Sequence, residues 1–254
     1  MSSADLAHPE ASYGDAIARF GQGRMEVKLY VWDIVVRLCH WGVALSVFVL
    51  SFTGIYIGNP FFVVPGEAGE HFVMGTIRAI HFYAALVFAI SVVTRVAWAL
   101  VGRRRAGWRE LIPVERERRV GILGTISFYL FARDQPPRSP GHNPLAGATY
   151  VLVFMLYGVI LTTGLGLYVS HSDSFMGLFG PLAQLWGGEQ SARWVHHVSM
   201  WLLLGFFVHH IASALLVATV KKNGTMESIF SGYKWVEPGE ALREADRWAK
   251  RDRS

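Results

Sequence analysis

Four apolar stretches, each about as long as a lipid hydrocarbon core is thick, dominate this 254-residue chain. They cover about 38–58, 79–101, 147–169 and 194–220. A helix of about 20 apolar residues spans that core, and a helix satisfies every one of its own backbone polar groups there. The competing arrangement is a soluble bundle of buried core helices. Such helices keep a polar stripe toward water, whereas these blocks stay apolar all round for more than twenty residues. With 52% apolar residues and a mean hydropathy of +0.31, the whole chain leans the same way. The expected fold class is therefore all-α: an integral-membrane bundle of four transmembrane helices.

The remaining composition narrows the chemistry. Residues 1–30 carry Asp5, Glu10, Asp15 and Glu26 and no apolar run, which argues against a secretory signal peptide. Cys39 is the only cysteine. An internal disulfide, an iron–sulfur cluster and a cysteine-rich zinc site are thereby excluded. A redox centre in this chain needs histidine or another ligand without sulfur.

The charge distribution sets an expected topology. Nine arginines (103, 104, 105, 109, 116, 118, 119, 133 and 138) crowd the 102–145 connection, and eight Lys/Arg follow from Lys221 onward. The stretches 59–77 and 170–192 have no Lys or Arg at all. Positive charge accumulates on the cytoplasmic side of a membrane protein. Both termini and the 102–145 connection are thus expected in the cytoplasm, and the chain in the cytoplasmic (inner) membrane with four passes. A pI of about 9.5 then reflects contact with anionic lipid headgroups rather than nucleic acid. The expected segments are a loose cytoplasmic arm (1–30), the four-helix bundle (31–220) and a basic cytoplasmic tail (221–254). Within the arginine-rich connection, Ile122–Ala132 is apolar and aromatic between basic flanks, and is read as a short interfacial helix. Gly158, Gly164 and Gly166 in the third span permit close helix contact or room for a flat ligand.

Histidines carry the functional signal. An ionisable side chain inside lipid is costly and needs a purpose. Of ten histidines, His40, His81, His196, His197, His209 and His210 fall within the spans. By topology, His40 lies near the cytoplasmic side, His81, His196 and His197 near the outer side, and His209 and His210 near the cytoplasm again. A fourteen-residue helical step returns to within about 40° of its starting direction, while steps of twelve or thirteen miss by about 120–140°. His196 and His210 therefore share a face, about 21 Å apart along the axis. This predicts two haems b, an outer one gripped by His81 and His196 and an inner one by His40 and His210. With both axial positions filled, oxygen has no open site and electron transfer remains as the task. His197 and His209 are left to helix contact or to support of the ligands. Two other readings of the histidines stand beside this one: hydrogen bonds between helices, and a proton relay in a haem-free anchor or transporter.

Three of these histidines follow an arginine by three residues: Arg37/His40, Arg78/His81 and Arg193/His196. Residues three apart lie on nearly the same helix face. Arg95 follows His81 by fourteen and shares its face near the inner side. Arg37, Arg78, Arg95 and Arg193 can each meet a haem propionate or extend to lipid phosphate.

Taken in order, several strings resemble the b-type cytochrome subunit of membrane-bound nickel–iron uptake hydrogenases. They are Val36-Arg37-Leu38-Cys39-His40-Trp41, Thr53-Gly54-Ile55-Tyr56-Ile57-Gly58, Met74-Gly75-Thr76-Ile77-Arg78-Ala79-Ile80-His81-Phe82, Gly141-His142-Asn143-Pro144-Leu145-Ala146, His196-His197 with Met200-Trp201, His210, and Ser231-Gly232-Tyr233. They run from about residue 30 to 235. The family usually has tryptophan at the place of Cys39 and commonly lacks His209, so the 209/210 doublet departs from its pattern.

The resemblance implies an electron-transfer and anchoring subunit with no hydrogen-activating site of its own. Its partners would be an iron–sulfur small subunit and a nickel–iron large subunit on the outer face. Electrons would reach the outer haem, then the inner haem, then menaquinone or ubiquinone. A quinone site near the inner haem would draw on His142, Asn143 and Arg133; the same Gly141–Pro144 string also reads as a plain turn that starts the third span. The alternative reading is another four-helix dihaem cytochrome, such as the cytochrome subunit of a formate dehydrogenase or a cytochrome of the b561 type, which share the helix count and the histidine logic.

Overall fold

The computed structural model describes residues 18–21, 23–62, 65, 71–102, 107, 116–134, 144–169, 179 and 181–251. Four helices are long and apolar enough to cross a membrane: α1 (Ile34–Gly58), α2 (Val73–Val101), α4 (Pro144–Val169) and α6 (Glu189–Lys221). Each ends where the apolar block ends, and each starts three to six residues earlier than hydropathy alone indicates. In α6 the extra residues are the polar first turn Glu189–Arg193, and in α1 and α2 they include Arg37 and Arg78; these lower the hydropathy without interrupting the helix. Helix α3 (Arg116–Tyr129) occupies the arginine-rich connection where a short helix was expected.

One compact unit comprises Leu38–Val96 and Leu152–His210. Its centre is a cluster of Val47 from α1, Phe88 and Val92 from α2, Val153 and Tyr157 from α4 and Leu203 from α6. Phe88 meets Tyr157 edge to face at 5.0 Å, which interlocks α2 with α4. Small residues bring backbones close. A β-carbon on Gly42 would collide with Ser91, and one on Gly166 would lie 2.8 Å from the backbone nitrogen of Ala183 in the short helix α5 (Pro181–Leu185). Leu45, Phe48, Phe52, Leu86, Ile90, Val93, Leu152, Met155 and Leu202 stand exposed. In water that much apolar surface would be a liability; on a membrane-spanning bundle it is the face that meets lipid.

The second unit comprises residues 1–37, 97–151 and 211–254. Here the loose arm expected over 1–30 gives way, from Ala18 onward, to ordered strands. Strands β1 (Ala18–Gly21), β2 (Arg24–Tyr30) and β3 (Tyr233–Val236) form an antiparallel sheet in the order β1-β2-β3. The β1–β2 pairing reaches Gly21 and Arg24, and Gly23 before β2 has φ 75°. Val27 pairs with Val236 and Tyr30 with Tyr233, so the segment before α1 is stitched to the segment after α6. The alternation Met25, Val27, Leu29 against Glu26 and Lys28 is the strand period. Helix α8 (Pro238–Arg251) packs on β2.

Two contacts fix the start of α1. Asp33 caps it: one carboxylate oxygen accepts the Val36 N–H at 2.9 Å and the other accepts the Trp98 indole N–H at 2.8 Å. The Gly232 carbonyl, just after α7 (Ser228–Ser231), accepts the N–H groups of Val31 at 2.8 Å and Trp32 at 3.2 Å. Gly232 has φ 88°, and a β-carbon there would stand 2.5 Å from the Tyr30 ring and 2.8 Å from the Trp32 carbonyl. Only glycine fits that position.

Two outcomes follow. Gly232→Ala combines a left-handed backbone with a clash against backbone and should cost on the order of 1–3 kcal/mol, read as a lowered thermal midpoint of the detergent-solubilised protein. Asp33→Ala removes a cap and a half-buried acceptor and should cost about 1–2 kcal/mol in the same measurement. A thermal midpoint unchanged by either substitution would contradict its assigned contact.

Candidate haem site

The site begins with threonine in an apolar helix. A threonine hydroxyl in such a place donates back to the carbonyl one turn earlier, because no water competes for it. Thr53 on α1 donates to the Val49 carbonyl at 2.8 Å, and Thr163 on α4 donates to the Val159 carbonyl at 2.8 Å. Each hydroxyl has a single proton, now committed. What remains is an oxygen lone pair, and in both cases an imidazole nitrogen approaches it. His81 Nδ1 lies 2.8 Å from Thr53 Oγ1, and His196 Nδ1 lies 3.0 Å from Thr163 Oγ1.

Hydrogen-bond logic then assigns the tautomer. An oxygen that has given away its proton can only accept, so the proton sits on Nδ1 of both histidines. That leaves Nε2 with its lone pair, the form in which a neutral imidazole binds a metal. The same arrangement, with an oxygen holding the far nitrogen, is what orients histidine ligands in metal sites generally.

Glycine completes each seat. Thr53 and Thr163 are both followed by glycine. A β-carbon on Gly54 would stand 3.4 Å from His81 Cε1 and 3.4 Å from Met200 Sδ, and one on Gly164 would stand 3.0 Å from His196 Cε1. His81 therefore rests on a Thr-Gly pair of α1, and His196 on a Thr-Gly pair of α4. His81 also lies within electrostatic reach of His196. All four long helices thus contribute to this end of the unit. His197 faces a different neighbour: a β-carbon on Gly58 would stand 2.5 Å from its Nε2, so it fills the gap to α1 as a helix-contact residue.

At the other end of the same unit, His40 on α1 faces His210 on α6, with ring centres 6.2 Å apart. Metal–imidazole bonds are about 2 Å long, so two axial ligands of one ion have ring centres roughly 6 Å apart. His40 Nδ1 is buried and has no hydrogen-bond partner among the described residues. Trp41 packs edge-on to His40 at 5.3 Å, and Phe206 stacks on His210 at 5.6 Å. His209 is exposed while His210 is half-buried, as the helical step from His196 requires. On donor chemistry, ring spacing and glycine clearance, the residues at both ends fit a haem held by two histidines.

The arginines separate into different environments. Arg95 is 8% exposed, deep in the unit that holds the histidines. Arg78 is exposed on the first turns of α2. Arg193 is exposed as well, and meets Glu189 at 3.8 Å and Gln190 at 3.4 Å on its own helix. Arg37 donates through Nη1 to the Phe230 carbonyl, while its Nε is buried without a partner among the described residues. Arg133 is exposed beyond the end of α3, and His142 and Asn143 lie outside the described residues. Near Arg133 in sequence, Tyr129 was not anticipated. Burial pushes its phenol above the usual value of 10, and a hydrogen bond with Ser213 pulls the other way; it is a neutral O–H donor at neutral pH.

Thr53 and Thr163 were not picked out as functional from the sequence either. The doubled Thr-Gly string is a signal in hindsight, but its partners are 28 and 33 residues away on other helices.

The chain matches the family model described as prokaryotic cytochrome b561 over residues 31–232. It is 37% identical over 233 residues to a Bradyrhizobium diazoefficiens protein named probable Ni/Fe-hydrogenase B-type cytochrome subunit, covering 90% of this chain and 92% of that one. A Cupriavidus necator protein of the same name is 35% identical, covering 81% of this chain and 86% of its own length. The Escherichia coli K12 protein named probable Ni/Fe-hydrogenase 1 B-type cytochrome subunit is 34% identical over 217 residues, covering 82% and 91%. The chain belongs to the prokaryotic cytochrome b561 family of Ni/Fe-hydrogenase B-type cytochrome subunits, membrane proteins that carry haem b.

Proposed function

We propose that this chain is the membrane-anchoring electron-transfer subunit of a nickel–iron hydrogenase, holding two haems b and linking the iron–sulfur small subunit to quinone. The observation that carries the reading is the pairing of imidazoles at two levels of one helix unit. His81 and His196 lie at one end within electrostatic reach of each other, each with Nδ1 on a threonine oxygen, and His40 and His210 face each other at the other end at 6.2 Å. The relatives' names supply the association with a hydrogenase. When bound, the two haems supply one-electron ferric/ferrous centres at two depths of the bilayer.

The chain's own residues do the rest. His81 with His196, and His40 with His210, would each hold one haem through two imidazoles, and a haem held so would carry electrons rather than bind oxygen. The apolar cluster around Phe88, Tyr157 and Leu203 excludes water between the two levels. By the distribution of basic residues, the His81/His196 pair is on the outer side, where the iron–sulfur small subunit and the nickel–iron large subunit dock. The His40/His210 pair is then on the cytoplasmic side of the inner membrane, with both termini. There Arg133, His142 and Asn143, joined by the Tyr129 hydroxyl, are the candidate hydrogen-bond donors to menaquinone or ubiquinone. Arg95, buried in the unit that holds the histidines, and Arg37, whose Nε has no partner among the described residues, are the first candidates for propionate partners. Arg78 and Arg193 stay near the headgroups, within reach of propionate or lipid phosphate.

The test is a haem count on the purified complex with oxidised-minus-reduced spectra. Two haems b per chain are expected, and a preparation never exposed to haem-stripping conditions that shows none would end the proposal. His81→Ala or His196→Ala should remove one haem, abolish hydrogen-dependent quinone reduction and spare dye-linked hydrogenase activity. Unimpaired quinone reduction in those variants would refute the assignment of the outer pair. His197→Ala should keep both haems, because that ring fills a gap beside Gly58; loss of one haem would transfer the ligand role to His197.

A further inference from the structure

The two ends of the histidine unit differ in one chemical respect. At the His81/His196 end both Nδ1–H groups have a threonine oxygen to donate to. At the other end, His40 Nδ1 is buried with no acceptor among the described residues. A hydrogen bond from Nδ1–H strengthens as positive charge on the ring grows, and it makes the ring a better electron donor to its metal. Ferric iron draws more electron density from its ligands than ferrous iron does. An acceptor at Nδ1 therefore stabilises the ferric form and lowers the reduction potential of that haem; hydrogen bonding around the ligands is one of the protein's recognised levers on potential.

We infer that Thr53 and Thr163 are positioning residues for the outer haem: their hydroxyl oxygens hold the Nδ1 protons of His81 and His196, orient both rings toward one haem, and lower the potential of that haem below the value it would have without them. The inference rests on the two-haem reading above. Two features make the device specific. Each threonine proton is already given to a backbone carbonyl, so the hydroxyl cannot turn to donate without breaking that bond. Each threonine is also followed by the glycine that gives its histidine room. Thr163 is 0% exposed and Thr53 8%, so bulk water cannot replace the missing acceptor.

The experiment is an optical redox titration of the intact hydrogenase complex in wild type, Thr53→Val, Thr163→Val and the matching serine variants. The outer component is identified as the one absent from His81→Ala. Valine keeps the shape and removes the threonine oxygen. Thr53→Val should raise the midpoint of the outer haem, with up to a tenfold change in its reduced-to-oxidised ratio at fixed poise, about 59 mV for one electron; Thr163→Val should raise it by less, because His196 keeps its hydrogen bond to the Ile160 backbone. The inner haem should not move, and the low-spin ferric signal of the outer haem should shift in electron paramagnetic resonance. Serine restores the oxygen and should restore the wild-type midpoint. Valine variants that keep the outer haem at an unchanged or lowered midpoint would overturn the inference, as would serine variants that shift as far as valine. If valine loses the haem altogether, a serine variant with haem and the wild-type midpoint supports the role of the hydroxyl, and a serine variant that also loses it overturns that role. Absence of haem from the wild-type complex would instead defeat the two-haem reading.

Discussion

Inside a hydrocarbon layer every polar group must find its partner within the protein, because no water is present to stand in. The bundle follows from that constraint at each level. Backbone groups are satisfied by helix. Threonine hydroxyls are satisfied by the carbonyl one turn back, and that bond leaves an oxygen lone pair with a fixed direction. A histidine from another helix takes that lone pair through Nδ1, and its second nitrogen is left to look for a metal. The orientation of these imidazoles is thus a by-product of satisfying polar atoms in lipid, propagated from backbone to hydroxyl to ring.

The same economy explains why the histidine unit is lined with small residues. A large apolar side chain at Gly54, Gly58 or Gly164 would occupy the space that His81, His197 and His196 now fill. The bulk needed for stability is moved to mid-bundle, where Val47, Phe88, Val153, Tyr157 and Leu203 interlock between the two imidazole pairs. Large side chains at the waist hold the helices at a fixed spacing, and small ones at the histidine levels leave clearance.

How much of this was legible in the sequence depends on the range of the interaction. The four spans were readable because hydropathy is a local property, and the earlier start of α6 came from its polar first turn, Glu189–Arg193. The turn of His210 toward the bundle and of His209 away from it followed from helical phase, which is again local. The choice between His196 and His197 was harder, because both are half-buried; the difference is the helix each one meets, Thr163 on α4 for one and Gly58 on α1 for the other. Thr53 and Thr163 could not be assigned because a threonine in an apolar helix looks the same whether or not a histidine faces it. The sheet was missed for a related reason. The alternation of Met25, Val27 and Leu29 was present, but a single short strand with polar neighbours means little until its partner, Tyr233–Val236, is known.

That sheet has a consequence for biogenesis. Strand β2 leaves the ribosome before any span, and β3 leaves after all four, so their ladder joins residues some two hundred positions apart. Long-range pairing of this kind forms late, since the intervening chain has to be placed before the ends can meet. The closed sheet is then a record of successful insertion. A chain with one helix misthreaded would have an odd number of crossings between its two strands, leaving them on opposite faces of the bilayer, each with an unpaired edge exposed to quality-control proteases.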